Sequence, residues 1–264
     1  MKRVLITGAA GNLGKVVRVK LKGWVEVLRL SDNAELEPQN AAEEIQCCDL
    51  ADAEAVMRLV EGCDGIIHLG GVSTENSFDN ILNANIIGTY NLYEAARKHG
   101  VRRILFASSN HTIGFHQRED MLDADSTMRP DSLYGVSKCY GEMLASLYYD
   151  KFAIETARVR IGSCFDKPLD RRMLATWLSA DDFVSLIKRV FECDRLGCPV
   201  IYGVSANSER WWDNSKVNFL GWQPKDSSDV FKTAAYLQPR ASDANDPAVR
   251  YQGGGFAGAG HFED

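Results

Sequence analysis

Tyr134 and Lys138 stand four positions apart in Ser132-Leu133-Tyr134-Gly135-Val136-Ser137-Lys138. In a helix that spacing puts both side chains on one face. An ammonium beside a phenol favours the phenolate, so the tyrosine's pKa is expected to move from about 10 towards neutral. A tyrosine tuned this way serves as a general base or acid. The same pair, taken alone, also describes a surface tyrosine next to a solvated lysine, so its surroundings decide its meaning. Ser109 lies 25 residues upstream, at the end of the apolar run Ile104-Leu105-Phe106-Ala107-Ser108.

A second chemical signal is Thr7-Gly8-Ala9-Ala10-Gly11-Asn12-Leu13-Gly14-Lys15, which follows the apolar run Val4-Leu5-Ile6. The residues after it carry Leu13, Val16, Val17 and Leu21 along one side of a helix. The glycines therefore sit where a strand turns into a helix. Glycine lets the backbone turn tightly and approach another group closely, and free N–H groups at a helix start attract an anion such as a pyrophosphate. Asp32 stands 18 positions after Gly14, at the tip of the next strand. A carboxylate there accepts hydrogen bonds from adenosine ribose hydroxyls and repels a 2′-phosphate, which favours NAD over NADP. Asp49, after the third strand, either holds the adenine edge or caps the helix that begins near Ala53.

The elements that must position these residues are readable from periodicity. Strand-like runs fall at 4–7, 25–30, 45–48, 65–69, 103–107, 156–161 and 199–202, with helical patterns near 12–22, 53–61, 79–99, 131–152, 180–192 and 228–237. This alternation predicts an α/β fold: a Rossmann-type, doubly wound parallel sheet with helices on both faces. One domain spanning 1–264 is expected, with a small C-terminal substrate-binding part. The irregular stretches 108–130, 162–180 and 203–227 all follow strand ends on the side where open α/β sheets bind ligands. The tail from Gly253 to Gly258 cannot hold a stable helix by itself. It reads as a mobile end or as an arm laid on a neighbouring subunit.

Composition excludes several classes. The 264 residues carry 30 basic and 36 acidic side chains, a net charge of −6, which argues against nucleic-acid binding. No apolar run approaches the roughly 20 residues that span a bilayer, so no membrane partner is expected. The seven cysteines form no CxxC pair and the histidines no HxxxH spacing. A reduced cytoplasmic setting and no metal site are expected.

In combination these residues resemble the extended short-chain dehydrogenase/reductase family, the NAD-dependent epimerases and dehydratases. The resemblance is carried by 7–14, His68-Leu69-Gly70-Gly71, Asn85-Ile86-Ile87-Gly88-Thr89, Ser108-Ser109, and Tyr134 with Lys138. It implies a catalytic set of Ser109, Tyr134 and Lys138, with Ser109 holding the reacting oxygen and Lys138 also binding the nicotinamide ribose. It implies an NAD site formed by Gly8, Gly11, Asn12, Leu13, Gly14, Asp32, Asp49, Leu50, Leu69, Gly70, Gly71, Asn85, Ser108, Tyr134, Lys138 and Ile161. Asn85 would help to organise a water and proton path.

Segments 108–114, 133–139, 159–164, 172–174 and 211–214 are further similar to uronate-oxidising members of that family. The implied reaction is oxidation of the anomeric carbon of a cyclic hexuronic acid, glucuronate or galacturonate, to an aldaric acid lactone. Ser73, Ser109, Asn110, His111, Tyr134, Ser163 and Arg172 are the expected substrate residues. Arg172 would clamp the carboxylate in bidentate fashion, with Arg171 as a competing neighbour. Two other readings stay open: a nucleotide-sugar epimerase or dehydratase, and an NAD-sensing regulator without turnover. A homo-oligomer is expected from apolar residues on more than one side of the helices at 79–99 and 131–152.

Overall fold

The first apolar run forms β1 (Arg3–Thr7), the strand on which the sheet is centred. The glycine turn leads into α1 (Asn12–Lys20), and the chain returns through β2 (Val27–Ser31) and β3 (Glu43–Ile45). Then follow α2 (Ala53–Val60), β4 (Gly65–His68), α3 (Phe78–Ile81), a π-helical stretch Leu82–Ile87 and α4 (Gly88–His99). After these come β5 (Arg103–Ser109) and α5 (Leu133–Phe152). Next come β6 (Glu155–Ile161), α6 (Met173–Thr176), α7 (Ala180–Glu192) and β7 (Val200–Gly203). The single turns α8 (Pro247–Arg250) and α9 (Gly255–Gly258) lie near the C-terminus. This computed structural model describes residues 1–237 and 243–262.

The seven strands run parallel in the order β3-β2-β1-β4-β5-β6-β7. The order reverses between β1 and β4, which opens a crevice beyond their carboxyl ends. Register levels those ends: Thr7 pairs with Ser31 and His68, and Ser109 pairs with Ile161. Helices α1 and α7 bury Val17, Phe183, Ile187 and Val190 on one face of the sheet. Helices α2, α4 and α5 bury Leu59, Leu92, Tyr93 and Ala145 on the other. Two solid cores thus hold the strand ends fixed beneath the site.

Three expectations change. The third strand lies at Glu43–Ile45 rather than 45–48, because Arg18 pairs with buried Glu43 at 2.6 Å and draws that segment into the sheet. The helix expected at 228–237 is replaced by the 3-10 turns Ser228–Phe231 and Ala235–Leu237. There the Ser228 amide and hydroxyl donate to Asn207 Oδ1 and the Leu174 carbonyl, which ties the segment down outside helical geometry. The glycine tail folds back over its own chain, as described below.

Candidate active site

The cofactor cradle begins at the first glycine turn. Gly8 has φ +71°, and a Cβ there would lie 2.7 Å from the Leu69 carbonyl carbon. A Cβ on Gly14 would lie 2.1 Å from the Gly8 carbonyl oxygen, so only glycine lets α1 pack this closely on the turn. Gly11 is the N-cap and supplies no side chain to the first N–H groups of α1. Asn12 and Leu13 begin that uncapped helix, whose donors point towards the crevice and suit a pyrophosphate. Asp32 accepts from the Ala10 amide at 2.9 Å and the Ala34 amide at 3.1 Å, which sets its carboxylate against the glycine turn. Asp49 does not cap α2. That position belongs to Asp52, which accepts from the Glu54 and Ala55 amides at 3.0 Å each, whereas exposed Asp49 turns onto Ala51.

The loop after β4 closes the cradle. The Gly70 amide donates to Thr7 Oγ1 at 3.0 Å, and Leu50 packs where a Cβ of Gly70 would stand. Gly71 has φ +121° and faces Asn85. Asn85 uses its whole amide: Oδ1 accepts from the Val72 amide at 2.8 Å, while Nδ2 donates to the Val72 carbonyl and to Ser137 Oγ. Its contacts make it a clamp between this loop and α5. Uncapped donors, a cradle without Cβ atoms and a carboxylate at the strand tip together fit a dinucleotide.

Tyr134 and Lys138 lie one turn apart at the start of α5. Ser132 caps the helix by accepting from the Gly135 amide at 3.0 Å. Glu75 accepts from the Leu133 and Tyr134 amides at 3.0 and 2.8 Å. Tyr134 is buried, with Ser109 close enough to its phenol to favour the phenolate. Lys138 Nζ sits 5.6 Å from the centre of the Tyr134 ring. The expected fall in the tyrosine pKa does not occur. Burial pushes the phenol up to about 12, against a smaller lowering by Ser109. Burial also brings Lys138 down to about 8. Desolvation disfavours both charged forms and is the largest cause of each shift.

Ser108 faces the other side of β5 from Ser109, as strand alternation requires. Its hydroxyl donates to Glu142 at 2.5 Å, which leaves only its backbone for a cofactor. Glu142 in turn makes a fully buried pair with Arg160, whose Nη1 donates to the Tyr202 hydroxyl. Ile161 presents its carbonyl to Asn110. With the Asn110 amide oriented to satisfy both neighbours, it donates to that carbonyl at 3.1 Å and accepts from Arg172 Nη2 at 2.7 Å.

Arg172 lies at the N-terminal end of α6, and its Nε donates to the Gln252 carbonyl at 2.6 Å. Desolvation lowers its pKa to about 10. Arg171 is exposed and reaches Glu209 at 4.0 Å, so the two neighbours are clearly separated in space. His111 Nδ1 lies 2.8 Å from Oδ2 of buried Asp131. Because a carboxylate only accepts, Nδ1 is the donor in that contact. Ser163 is buried, with its hydroxyl 2.9 Å from Thr176 Oγ1. Ser73 is exposed in the loop between Val72 and Glu75, the two points at which that loop is pinned. The tail supplies the roof: the Phe256 ring stacks on His111 at 3.8 Å and lies 6.3 Å from the ring of Tyr134.

The sequence pattern of the NAD dependent epimerase/dehydratase family matches residues 4–180. The chain belongs to that family. It is 57% identical over 256 residues to the uronate dehydrogenase of Agrobacterium fabrum, with 97% of each chain covered. It is similar to the crystal structure of the glucuronic acid dehydrogenase of Chromohalobacter salexigens, with a TM-score of 0.97 and 58% identity over 100% of this chain and 99% of that one. A tyrosine-to-alanine variant of the Agrobacterium tumefaciens uronate dehydrogenase, complexed with NAD, superposes with a TM-score of 0.94 at 57% identity, covering 97% of each chain.

Within this family member, Ser109, Asn110, His111, Tyr134, Lys138 and Arg172 converge on one crevice. Sequence reasoning passed over Glu75, Asp131, Gln252 and Phe256. Asp131 and Glu75 look like ordinary loop acids until the fold brings them to His111 and α5. The run Gly253-Gly254-Gly255 was the one available signal for the roof, because adjacent glycines announce a backbone that approaches something closely.

Proposed function

We propose that the protein oxidises the anomeric carbon of a cyclic hexuronic acid, D-glucuronate or D-galacturonate, to the aldaric acid lactone with NAD as acceptor. The observation that carries this reading is Arg172 bonded to Asn110, the residue that follows Ser109, in a chain 57% identical to a uronate dehydrogenase along nearly its full length. We read the chain as one Rossmann-fold unit, with substrate elements from 108–130, 162–180 and 203–227.

The substrate carboxylate pairs with the terminal nitrogens of Arg172. Its ring hydroxyls meet Ser73, Asn110, His111 and Ser163. The anomeric hydroxyl lies between Ser109 and Tyr134. When bound, NAD supplies the hydride acceptor and a positive nicotinamide ring beside these groups. Tyr134 takes the hydroxyl proton. Lys138 stabilises the phenolate that accepts it and binds the nicotinamide ribose. Ser109 holds the reacting oxygen, and the Phe256 roof excludes water, which strengthens every charge interaction within. Gly8, Gly11, Asn12, Leu13 and Gly14 hold the pyrophosphate. Asp32 holds the adenosine ribose, and Asp49 with Leu50 the adenine side.

The roof disfavours a nucleotide-sugar substrate, since Phe256 covers His111 and Gly254 lies against Arg172, which leaves a bulky ligand less room there. Retention of Ser109, Tyr134 and Lys138 disfavours a silent sensor. We also infer a homo-oligomer, because Tyr90, Val136, Met143 and Leu147 on the outer sides of α4 and α5 are exposed apolar side chains. A cytoplasmic setting agrees with seven free cysteines. Among the described residues no helix is long and apolar enough to cross a membrane.

Incubation with NAD and either uronate, followed by NADH absorbance, tests the reading. Turnover on both free uronates is expected. Turnover only on a nucleoside diphosphate sugar, or none at all, would overturn it.

A further inference from the structure

We propose that Gln252 and Gly254 are positioning residues that aim Arg172 at the substrate carboxylate, and that this glycine-rich arm thereby sets the choice of uronates over neutral hexoses. The proposal rests on the uronate reading above.

Gln252 has no exposed surface, and every polar group it has is engaged. Its side chain accepts from Trp212 Nε1 at 2.9 Å and donates to the Gln117 and Asp120 carbonyls at 3.0 and 2.9 Å. Its amide donates to the His116 carbonyl at 2.9 Å. What remains is its carbonyl, which receives Arg172 Nε at 2.6 Å. A residue anchored at so many points offers a fixed acceptor. Arg118 braces the same arm by donating to the Ala248 and Tyr251 carbonyls.

The glycines explain how the arm comes so close. A Cβ on Gly253 would lie 1.8 Å from Asp131 Oδ2. Gly254 has φ +63°, a left-handed conformation, and a Cβ there would lie 2.6 Å from Arg172 Cδ and 2.8 Å from its Nε. The arm therefore meets the arginine with bare backbone. Both protein partners of the guanidinium, the Gln252 and Asn110 oxygens, are neutral. They fix its plane without pairing its charge, and the Asp170 and Asp131 carboxylates act on it through space more weakly than burial does. Three of its five N–H donors remain, two on Nη1 and one on Nη2, the edge that a carboxylate meets in bidentate fashion.

The test is steady-state kinetics of the parent, Gly254→Ala and Gln252→Ala on galacturonate, glucuronate, galactose and glucose, with the KM for NAD and the thermal midpoint recorded for each. We expect uronate kcat/KM to fall about tenfold or more in both variants, mainly through KM, as a misaimed charge-assisted pair requires. Neutral-hexose kcat/KM and the KM for NAD should stay within about twofold of the parent, since neither uses the arginine. A merely structural arm would depress all four sugars together and move the KM for NAD with them. That result, or a parental preference for uronates in either variant, overturns the proposal. If Gly254→Ala does not fold, Gln252→Asn, which keeps the amide on a stem one carbon shorter, is read in the same assay by the same criteria. A parent active on uronates with unchanged variants overturns this inference alone. A parent inactive on both uronates overturns the functional reading and this inference with it.

Discussion

Replacing Arg172 by alanine is the perturbation that separates carboxylate recognition from sugar oxidation in general. In the structure one donor of the guanidinium goes to the Gln252 carbonyl and one to Asn110. The two terminal nitrogens keep enough donors for a bidentate pair. Each charge-assisted bond contributes roughly 1.5–3 kcal/mol, so losing two costs about 3–6 kcal/mol, or roughly two to four decades in uronate kcat/KM. The KM for NAD should stay near the parental value, because Arg172 follows β6, three strands along the sheet from β1 and its glycine turn. Arg172→Lys should recover only part of the loss, since lysine keeps the charge but not the planar fork. Glucose and galactose should be poor substrates of the parent and lose little further in the variant. The assay is NADH formation under initial-rate conditions on all four sugars. Parental uronate efficiency in Arg172→Ala would refute the reasoning. So would a parent that oxidises glucose as well as glucuronate. A loss in Arg171→Ala in its place would contradict the geometry, which leaves Arg171 in solvent beside Glu209.

Tyr134→Phe should keep NAD binding and lower kcat by about a hundredfold to ten-thousandfold, the range of general-base contributions; a near-parental kcat removes Tyr134 from the mechanism. Asp32→Ala should weaken NAD binding by about tenfold or more and narrow the preference over NADP; parental cofactor selectivity in a titration would show that the carboxylate serves only the Ala10 and Ala34 amides. Activity should be unchanged by EDTA, because Arg172, Lys138 and Ser109 supply the charge and hydrogen bonds the reaction needs; a loss restored by added metal would contradict this. Lys138 sits at about 8 in the folded, ligand-free protein against an ordinary 10.5. The unfolded chain therefore holds a proton that the folded one releases between those values, so folding stability gains on the order of 3 kcal/mol as pH rises from about 8 to 10.5. Denaturant midpoints across that range should climb more steeply for the parent than for Lys138→Met, and parallel slopes would refute the assignment.

What could be read from the sequence was local. Val4-Leu5-Ile6 followed by three glycines identifies a strand, a turn and a helix without tertiary information, because glycine's tolerance of φ near +70° is a property of one residue. The Tyr134–Lys138 spacing is likewise set by helix geometry alone. The pKa of that tyrosine could not be read in the same way, since it depends on how much water the whole crevice admits. Asp131 and Glu75 were invisible for a related reason. They reach His111 and the α5 amides through contacts 20 and about 58 positions away in the chain. The third strand moved by two residues because Arg18, on a helix, captures Glu43 from another element. The tail was misread because helix propensity governs isolated segments. Here Gln252 and the Arg118 brace supply the order that the glycines lack.

The direction of these shifts bears on substrate choice. Burial raises Tyr134, lowers Lys138 and lowers Arg172, so the crevice opposes the charged form of each of these three groups. A cation in that state gains most from an anion that enters and excludes the remaining water, because the penalty has already been incurred and the low dielectric strengthens the attraction. A uronate bound as proposed would bring that anion to Arg172, whereas a neutral hexose would bring only dipoles and leave the guanidinium desolvated. The same enclosure works against Tyr134 until positive charge gathers near it, from Lys138 and the bound cofactor. Proton abstraction is then coupled to a filled site, and a half-filled crevice keeps its tyrosine protonated at neutral pH.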